Sequence, residues 1–325
     1  MNTTQGISSL LGSADHFVPP ACWRKVLLVD DDPAFLRIAQ VILAHAGYQV
    51  TTAGDGEEAM FTIAQSPPDF VVTDWKMPGV DGIQLCQWVR ETPWERYIYM
   101  MVVSGRTETR HIVQAVAAGA DDFMSKPIQA GELLARMQAG QRILERERQL
   151  HFLARYDQLT EVFNRRTLFE ELDRRWHQGR RANLPLACVM GDVDDFKAVN
   201  DHHGHLVGDQ VLKVVAGVLR RLARKDDLVG RYGGEEFCVL LAGASERDAA
   251  LWAEQCRAEI AAMTSLGGSL PHPVTMSLGV ASQAADIAAP QQLLKRADDA
   301  LLAAKRRGKN RVVFYGGEEL YVAWQ

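Results

Sequence analysis

The first part of the chain alternates short apolar runs with segments of helical periodicity. Buried strands are predicted for KVLLVD, DFVVTD and YIYMMVVS, in which aliphatic residues dominate. Helices are predicted between them for PAFLRIAQVILAHAG and GIQLCQWVRE. Strands that alternate with helices indicate βαβ units around a parallel sheet covered on both faces. We therefore predict an α/β domain over residues 23–140.

The segment that follows is strongly charged and contains few chain breakers. AGQRILERERQLHFLARYD carries apolar residues at partial helical spacing, and its alternating Glu and Arg suit a solvated helix face. It contains too few regular heptads for a coiled-coil prediction. Glycine and proline are nearly absent, which favours a helix over a loose linker. We predict a helical connector over residues 141–155.

A second pattern begins near residue 156 and contains both helices and strands. Helices are predicted for RRTLFEELDRRWHQG, GDQVLKVVAGVLRRLAR, ERDAALWAEQCRAEIAAM and PQQLLKRADDALLAAKRRG. Strands are predicted for LPLACVMGDV, LVGRYGGEEFCVLLA, VTMSLGVAS and RVVFY. This order fits an α+β domain over residues 156–315, with helices on a mixed sheet. We predict a flexible tail for residues 1–22 and a C-terminal tail for residues 316–325.

Composition narrows the class of protein. The 325 residues are enough for two domains of about 150 residues each. The net charge of −5 argues against a general nucleic-acid binder, since such proteins usually carry a basic excess. No run approaches about 18 consecutive apolar residues, so no membrane span is predicted. The five cysteines are scattered without a C-x-x-C pair, which indicates a reducing, cytoplasmic setting rather than disulfides or structural zinc.

Acidic side chains follow two of the predicted strands of the first domain. Asp30 and Asp31 come directly after KVLLV, and Asp74 ends DFVVTD. Ligands of an open α/β sheet bind at the carboxyl ends of its strands, so these carboxylates are expected to converge. Their mutual repulsion requires a cation, and Mg²⁺ prefers such oxygens. Ser104 and Lys126, also at predicted strand ends, would clamp a phosphoryl group there.

Together these residues resemble the receiver domain of bacterial response regulators, over roughly residues 24–140. The resemblance implies a flavodoxin-like doubly wound parallel sheet. It implies that Asp74 accepts a phosphoryl group from a partner histidine kinase and forms an acyl phosphate. It also implies that Mg²⁺ (or Mn²⁺) is bound by Asp30, Asp31, Asp74 and the main-chain carbonyl of Lys76.

The same resemblance assigns a switch to the receiver domain. Ser104 and Phe123 match the pair in which the aromatic ring usually swings inward on phosphorylation, and Lys126 matches the phosphate-binding lysine. The Lys126–Pro127 bond stands at a position where the family usually has a cis peptide, an isomer that is inexpensive before proline.

A second set of acidic residues lies in the α+β domain. Asp192 ends the apolar strand LPLACVMGDV, and Glu235 follows Gly233 and Gly234 in LVGRYGGEEFCVLL. We predict that these glycines form a two-residue hairpin turn with positive φ angles, which glycine adopts at no steric cost. Neighbouring strand ends would then bring Asp192 and Glu235 onto one Mg²⁺, which proteins often hold with two carboxylates and a substrate phosphate.

This domain resembles the GGDEF-type diguanylate cyclases, which join two GTP molecules into cyclic di-GMP. The resemblance spans about residues 156–313 and rests on DQLTEVFNRR, DVDDFKAVND, GHLVGD, RYGGEEF, VTMSLGVA and RADDALLAAK in that order. It implies a palm-like mixed sheet with flanking helices. It also implies that Asp192, Glu235 and the Val193 carbonyl bind the metal, with Glu235 as the base that activates the 3′-hydroxyl.

The resemblance also assigns the substrate contacts. Asn200 and Asp209 would read guanine, whose N1–H and N2–H donors a carboxylate accepts. His205 falls at a position near the substrate. Lys309 stands where the family often has arginine, so a phosphate contact is kept without bidentate geometry. Ribose or phosphate contacts are implied for Phe196, Lys197 and Lys305. Gly233 and Gly234 would let the nucleotide approach the protein backbone.

Three further sequence features lie outside the set of predicted catalytic residues. Arg224 and Asp227 match the family's product-inhibition site, where they would contact cyclic di-GMP. A second Tyr-Gly-Gly-Glu-Glu at residues 315–319 lacks a D-x-D-x-F-K element at the right distance before it, so we predict that it is not catalytic. The histidines of DHHGH suggest zinc, but no cysteine or carboxylate partners are spaced for it.

The combined prediction is a phosphorylation-controlled diguanylate cyclase that works as a homodimer or larger assembly, since each site binds one GTP and the product needs two. The alternative is a non-catalytic effector that binds GTP or cyclic di-GMP. The intact acidic residues and glycines favour the enzyme. A DNA-binding response regulator is disfavoured because the second half offers neither a basic face nor a helix-turn-helix.

Overall fold

The computed structural model describes residues 25–94, 96–105, 109–182, 184–262, 274–284 and 286–315. The chain divides into two compact units, one ending at His151 and the other beginning at Phe152. Of the predicted tails, residues 1–22 and 316–325 lie outside the described residues.

The first unit is a five-stranded sheet in which every neighbouring pair is parallel, with the order β2-β1-β3-β4-β5. The predicted parallel α/β sheet is therefore confirmed. Its strands are β1 (Lys25–Val29), β2 (Gln49–Ala53), β3 (Phe70–Asp74), β4 (Tyr99–Ser104) and β5 (Asp122–Ser125). Its helices are α1 (Pro33–His45), α2 (Gly56–Gln65), α3 (Gly82–Glu91), α4 (Thr109–Ala117) and α5 (Ala130–Arg155).

The central strands of this sheet are buried on both faces. Along β1, Leu27 and Val29 pack into one apolar cluster, whereas Val26 and Leu28 pack into the cluster on the opposite face. Two such cores explain the uninterrupted aliphatic runs of the sequence. They also hold the carboxyl ends of β1 and β3 side by side, since these two strands are direct neighbours.

Helix α5 is a single helix of 26 residues that covers the predicted connector and begins before it. It packs into the first unit through Leu133, Met137 and Leu144, which are almost fully buried. At Gly140 an added Cβ would lie 2.8 Å from the Phe70 ring, so the helix runs close to the sheet there. The division between the two units falls within this helix, at residue 151.

The second unit is a mixed five-stranded sheet with the order β10-β9-β6-β8-β7. Only the β9–β10 pair is parallel among these described strands. The predicted α+β class with a mixed sheet is confirmed. The strands are β6 (Leu186–Val193), β7 (Leu228–Arg231), β8 (Glu236–Ala242), β9 (Met276–Ser282) and β10 (Val312–Phe314). The helices are α6 (Arg165–Ala182), α7 (Phe196–His203), α8 (His205–Leu222), α9 (Glu246–Ala262) and α10 (Pro290–Arg306).

The middle strand of this sheet, β6, is buried along its whole length. Ala187 and Val189 point into one core, and Cys188 and Met190 into the other. Because β6 pairs with both β8 and β9, its last residues lie next to the loop that precedes β8. None of the helices in the described ranges is long and apolar enough to cross a membrane.

Candidate functional sites

An acidic cluster lies at the carboxyl edge of the first sheet. Asp30 follows β1 directly and is 1% exposed, and Asp74 is the last residue of β3. One carboxylate oxygen from each of Asp30, Asp31 and Asp74 lies within 4.8 Å of the others. Three carboxylates at this spacing provide the hard oxygen ligands that suit Mg²⁺ or Mn²⁺. The donor set therefore fits the predicted ion.

Lys126 partly offsets the negative charge of this cluster. Its Nζ lies 2.6 Å from Asp30 Oδ2 and 3.3 Å from Asp74 Oδ2. Burial alone lowers the pKa of Lys126, but the hydrogen bond to Asp30 and the charge of Asp74 raise it above its ordinary value. Burial raises the pKa of Asp74 despite the lysine, and the charge of Asp30 adds to that rise. The Lys126–Pro127 peptide is cis.

A cleft opens beside Asp74. It is lined by Asp74, Trp75, Lys76, Ser104, Gly105, His111 and Lys126. Ser104, the last residue of β4, is 5% exposed. Phe123 on β5 is half-buried, and its ring stands edge-on to Trp75 at 6.4 Å. The predicted phosphorylation and switch residues thus surround one cleft or adjoin it, and His111 joins them without having been predicted.

In the second unit, Asp192 and the loop before β8 come together at one end of the sheet. Asp192 lies opposite Glu236 in the antiparallel register of β6 and β8. The next backbone N–H, of Val193, donates to the Glu235 carbonyl at 3.3 Å. Asp192, Val193 and Glu235, the predicted metal ligands, are therefore neighbours.

Asp192 is 5% exposed, and its carboxyl group has a perturbed pKa. Burial raises the pKa of Asp192 to about 6, and the negative charges of Glu235 and Glu236 contribute to the rise. Lys305, in the last turn of α10, opposes it from 2.7 Å. Lys305 was predicted to contact phosphate or ribose, and the structure places it on Asp192. A cation in this position lowers the free energy of the deprotonated acid that a metal needs.

The loop between β7 and β8 differs from the predicted hairpin. Four residues, numbered 232–235, separate the strands, and neither Gly233 nor Gly234 has a positive φ angle. The prediction of a two-residue turn was therefore wrong. The backbone N–H groups of Tyr232 and Gly233 both donate to the Glu236 carbonyl, at 2.8 and 3.2 Å. This pair of hydrogen bonds closes a wider loop without any left-handed residue.

The two glycines are explained by the space around them and not by their φ angles. An added Cβ at Gly233 would lie 2.3 Å from Glu236 Oε2, whereas an added Cβ at Gly234 would meet nothing within 4 Å. Gly234 therefore borders open space at the end of the sheet. A bare backbone beside open space allows a ligand to approach the main chain closely.

An arginine that the sequence analysis did not select anchors this loop. The guanidinium of Arg231 donates to the Gly234 carbonyl through Nε at 3.1 Å and through Nη2 at 2.7 Å. Its Nη1 lies 3.0 Å from Asp157 Oδ1. Asp157 in turn accepts from the backbone and the hydroxyl of Thr160, at 2.9 and 2.7 Å. Although burial opposes it, these hydrogen bonds and the arginine lower the pKa of Asp157.

A further acid of the DVDD run has a structural role that the sequence did not reveal. Asp194 is 7% exposed and accepts from Thr275 Oγ1 and Ser277 Oγ, each at 2.7 Å. It also accepts from the backbone of Asn310 at 3.0 Å. These contacts connect the end of β6 to β9 and to the segment that follows α10. Helix α10 itself carries Lys305.

The predicted substrate-contacting residues lie on α7, α8 and the segment after α10. Phe196 and Lys197 open α7, and Asn200 lies one turn further on. His205 begins α8 directly after Gly204, whose φ is 81°, and Asp209 lies one turn later. An added Cβ at Gly208 would lie 2.0 Å from Asn200 Oδ1, so α8 approaches the Asn200 side chain closely beside Asp209. Lys309 binds Asp195 at 2.6 Å on the surface.

Comparisons with known proteins agree with this geometry. The family model described as "Diguanylate cyclase, GGDEF domain" matches residues 154–311, and the response regulator receiver domain model matches residues 26–138. The crystal structure of the coiled coil and GGDEF domain of DgcB from Caulobacter crescentus, in complex with c-di-GMP, is 30% identical with a TM-score of 0.52. The match covers 57% of this chain and 97% of that one. The chain belongs to the GGDEF family.

Curated relatives extend the match to the receiver unit. The response regulator PleD of Caulobacter vibrioides is 32% identical over 303 residues, which cover 89% of this chain and 65% of PleD. The probable diguanylate cyclase DgcT of Escherichia coli is 40% identical over 164 residues, which cover 50% of this chain and 36% of DgcT. The chain thus spans less than two thirds of the length of these relatives.

Of the three remaining sequence features, the structure describes two, the Arg224–Asp227 pair and the DHHGH run. Arg224 is exposed, and Asp227 accepts from the backbone N–H groups of Arg224 and Ala242 at 2.8 and 3.1 Å, so the two residues share one turn. The second Gly-Gly-Glu-Glu, residues 316–319, lies outside the described residues. In the DHHGH run, His202 Nδ1 lies 2.7 Å from the Ala198 carbonyl of its own helix.

Proposed function

We propose that this protein is a diguanylate cyclase that condenses two GTP molecules into cyclic di-GMP and releases two pyrophosphates. The observation that carries the proposal is the convergence of Asp192, Glu235 and the open backbone at Gly234 at one end of the second sheet. Two carboxylates beside a bare backbone suit a metal-bound nucleoside triphosphate.

Each residue of the site has a chemical task in this proposal. Asp192, Glu235 and the Val193 carbonyl hold Mg²⁺ or Mn²⁺, which when bound neutralises phosphate charge. The 3′-hydroxyl of one GTP forms a bond to the α-phosphorus of the other, and the bond from that phosphorus to the bridging oxygen breaks. Glu235 takes the hydroxyl proton, and pyrophosphate leaves with the bonding electrons. Two such displacements close the ring.

Guanine selection is assigned to Asn200 and Asp209. Both lie where α7 and α8 approach each other around Gly204 and Gly208. Their oxygens can accept the N1–H and N2–H groups of guanine, which adenine does not present. Phe196, Lys197 and His205 lie on the same two helices and are assigned to substrate contacts. Lys309 would leave its exposed partner Asp195 and bind the phosphates.

Control by phosphorylation is proposed for the receiver unit. Its acidic cluster, Lys126 and Ser104 surround Asp74, the assigned acceptor of a phosphoryl group from a histidine kinase. Charge that appears on Asp74 would reposition Phe123 and favour pairing of two subunits. Pairing matters because each site supplies one GTP and the reaction consumes two. A cytoplasmic location remains a prediction from the cysteine pattern.

Product inhibition is proposed for the turn that contains Arg224 and Asp227. An exposed guanidinium recognises phosphate and guanine acceptors, and the Asp227 carboxylate can accept from guanine as well as from the backbone. We expect Arg224→Ala to raise the cyclic di-GMP concentration needed for half-inhibition at least about tenfold, the loss of one charge-assisted contact. The neighbouring Lys225→Ala variant is the control, and an unchanged inhibition curve for Arg224→Ala would refute the assignment.

The decisive experiment incubates the purified protein with GTP and Mg²⁺, with and without a small acyl-phosphate donor, and separates the nucleotides by chromatography. Cyclic di-GMP is expected from wild type and from Glu318→Ala, which alters the second Gly-Gly-Glu-Glu. It is expected to be absent from Glu235→Ala. The donor should raise the rate of wild type and leave Asp74→Asn unchanged.

Two outcomes would overturn parts of the proposal. Absence of product from folded wild-type protein that still binds GTP would favour a non-catalytic effector. If Asp74→Asn formed product as fast as phosphorylated wild type, control by the receiver unit would be wrong while the cyclase assignment stood.

A further inference from the structure

The cleft beside Asp74 contains a polar side chain, that of His111, to which the proposed phosphorylation assigns no role. His111 lies in the first turn of α4 and lines the cleft together with Asp74, Ser104 and Lys126. Its ring stands edge-on to Trp75, with 5.1 Å between ring centroids and an interplanar angle of 70°. The packing on Trp75, which directly follows Asp74, keeps the imidazole close to the predicted phosphoryl acceptor.

The imidazole of His111 is not held by a hydrogen bond at Nδ1. This nitrogen is buried from solvent and has no hydrogen-bond partner among the described residues. Burial of an unpaired polar atom is unfavourable, and most such atoms in folded proteins find a partner. A turn of the ring within the cleft would break no hydrogen bond at Nδ1. The side chain is therefore free to offer a ring nitrogen to a ligand that enters the cleft.

The charge balance of the cleft shows what such a ligand would need. Asp30, Asp31 and Asp74 bring three carboxylates within 4.8 Å, and Lys126 already contacts two of them. A phosphoryl group on Asp74 adds negative charge and strong acceptor oxygens to this crowded site. Each additional hydrogen-bond donor then stabilises the phosphorylated form, most strongly where an ionised acceptor is involved. His111 is placed to be such a donor.

We propose that His111 donates a hydrogen bond to the phosphoryl group carried by Asp74 and thereby stabilises the phosphorylated receiver. The inference rests on the proposed phosphorylation of Asp74. Asp74 remains the nucleophile, and His111 forms and breaks no covalent bond. The competing interpretation is that His111 serves only as an aromatic packing partner of Trp75.

Beryllofluoride, a stable mimic of the phosphoryl group, allows a direct test on the full chain. It is titrated with Mg²⁺ present, and the bound species is followed by ¹⁹F nuclear magnetic resonance. His111→Phe keeps an aromatic ring against Trp75 but removes both nitrogens, and we expect about tenfold weaker binding. His111→Asn keeps a short donor and should stay within about threefold of wild type. Gln114→Ala, an exposed change on the same helix, should bind like wild type.

The variants separate this inference from the proposal on which it rests. Wild-type binding that Asp74→Asn abolishes, together with unchanged affinity of His111→Phe, would overturn the role of His111 alone. Failure of wild type to bind beryllofluoride would overturn both. Thermal unfolding of each variant shows whether weaker binding follows from a loss of fold. If His111→Phe is unfolded at the assay temperature, His111→Leu provides the same comparison.

Discussion

At the scale of single residues, the most informative side chain is Asp192. Its burial beside two other acids raises its pKa to about 6, although Lys305 opposes the rise from 2.7 Å. A raised pKa works against metal binding, because a carboxylate must lose its proton before it binds a metal. The site therefore combines a water-poor position, which strengthens electrostatic contacts, with a lysine that keeps Asp192 deprotonated near neutral pH.

The pKa of Asp192 predicts how the proposed cyclase responds to acid. As pH falls below about 6, protonation of Asp192 should remove a metal ligand, and kcat/KM should fall towards tenfold per pH unit. Lys305→Met removes the nearby positive charge, so the pKa rises further and the acid limb should move to higher pH. The measurement is a pH–rate profile at limiting Mg²⁺.

Lys295→Met is the matched control for this profile, since Lys295 lies on the same helix and is exposed. Its acid limb should coincide with that of wild type. An acid limb of Lys305→Met at the wild-type pH would show that another group sets the pH dependence.

At the scale of elements, the loop between β7 and β8 depends on a contact between distant parts of the sequence. Arg231 ends β7 and fixes the Gly234 carbonyl, while Asp157 orients Arg231 across a separation of 74 residues. The backbone of Glu235 directly follows the fixed carbonyl. Small displacements of reacting groups carry large rate costs, so the anchor should matter for catalysis more than for folding.

Removal of this anchor gives a second prediction. Arg231→Ala should lower kcat by about ten- to a hundredfold, because the loop that carries Glu235 loses both guanidinium contacts. The Tm should fall by only a few degrees, since the Arg231 side chain is partly exposed and Asp157 keeps its hydrogen bonds from Thr160. Steady-state kinetics and thermal unfolding check the two halves of the statement. Arg220→Ala, an exposed arginine on α8, is the control, and wild-type kcat in Arg231→Ala would contradict the prediction.

Close packing of α10 on β9 gives a third prediction, about the element that carries Lys305. An added Cβ at Gly279 would lie 2.1 Å from the Leu301 nitrogen and 2.2 Å from the Ala297 carbonyl. Backbone atoms cannot move aside as a side chain can, so Gly279→Ala should destabilise the protein by about 3 kcal/mol or more.

Gly217→Ala is the matched change for Gly279→Ala. Gly217 lies inside α8, and an added Cβ there would meet nothing within 4 Å. Alanine should stabilise the helix by about 0.5–1 kcal/mol, since glycine loses more conformational entropy in a helix. Denaturant unfolding measures both variants. Equal stability of the two alanine variants would show that α10 does not pack on β9 as described.

The sequence predicted those elements that are buried on both faces, because continuous aliphatic runs such as β4 and β6 leave little choice of structure. Strand β2, QVTTA, was not among the predicted strands. It lies at the sheet edge with mostly exposed side chains, so it lacks an apolar run. The prediction of a glycine hairpin was wrong because the contacts of Arg231, which Asp157 orients from 74 residues away, determine the shape of the loop. His111 was missed for a related reason, since only the tertiary fold brings α4 next to Asp74.

At the scale of the whole molecule, the proposed reaction sets a condition that a single chain would not meet. The predicted metal ligands Asp192, Val193 and Glu235 form one set, which would serve one nucleotide. Cyclic di-GMP contains two guanylyl units, each attached through a reaction at the other's α-phosphate. The proposed reaction would therefore require two subunits whose sites face each other, and the proposed phosphorylation of the receiver unit would control that encounter.

If subunits must pair, an excess of inactive chains should lower the rate of product formation per active chain. When wild type is mixed with a ninefold excess of Glu235→Gln and the subunits have exchanged, only about one tenth of the wild-type chains should find a wild-type partner. The rate of cyclic di-GMP formation per wild-type chain should fall about tenfold. The acyl-phosphate donor is present throughout, and product is measured by chromatography. A ninefold excess of Glu235→Gln/Asp74→Asn should inhibit much less, because its receiver cannot be phosphorylated. A rate per wild-type chain that is independent of added Glu235→Gln, and of total protein concentration, would show that single chains complete the reaction and that pairing is not the controlled step.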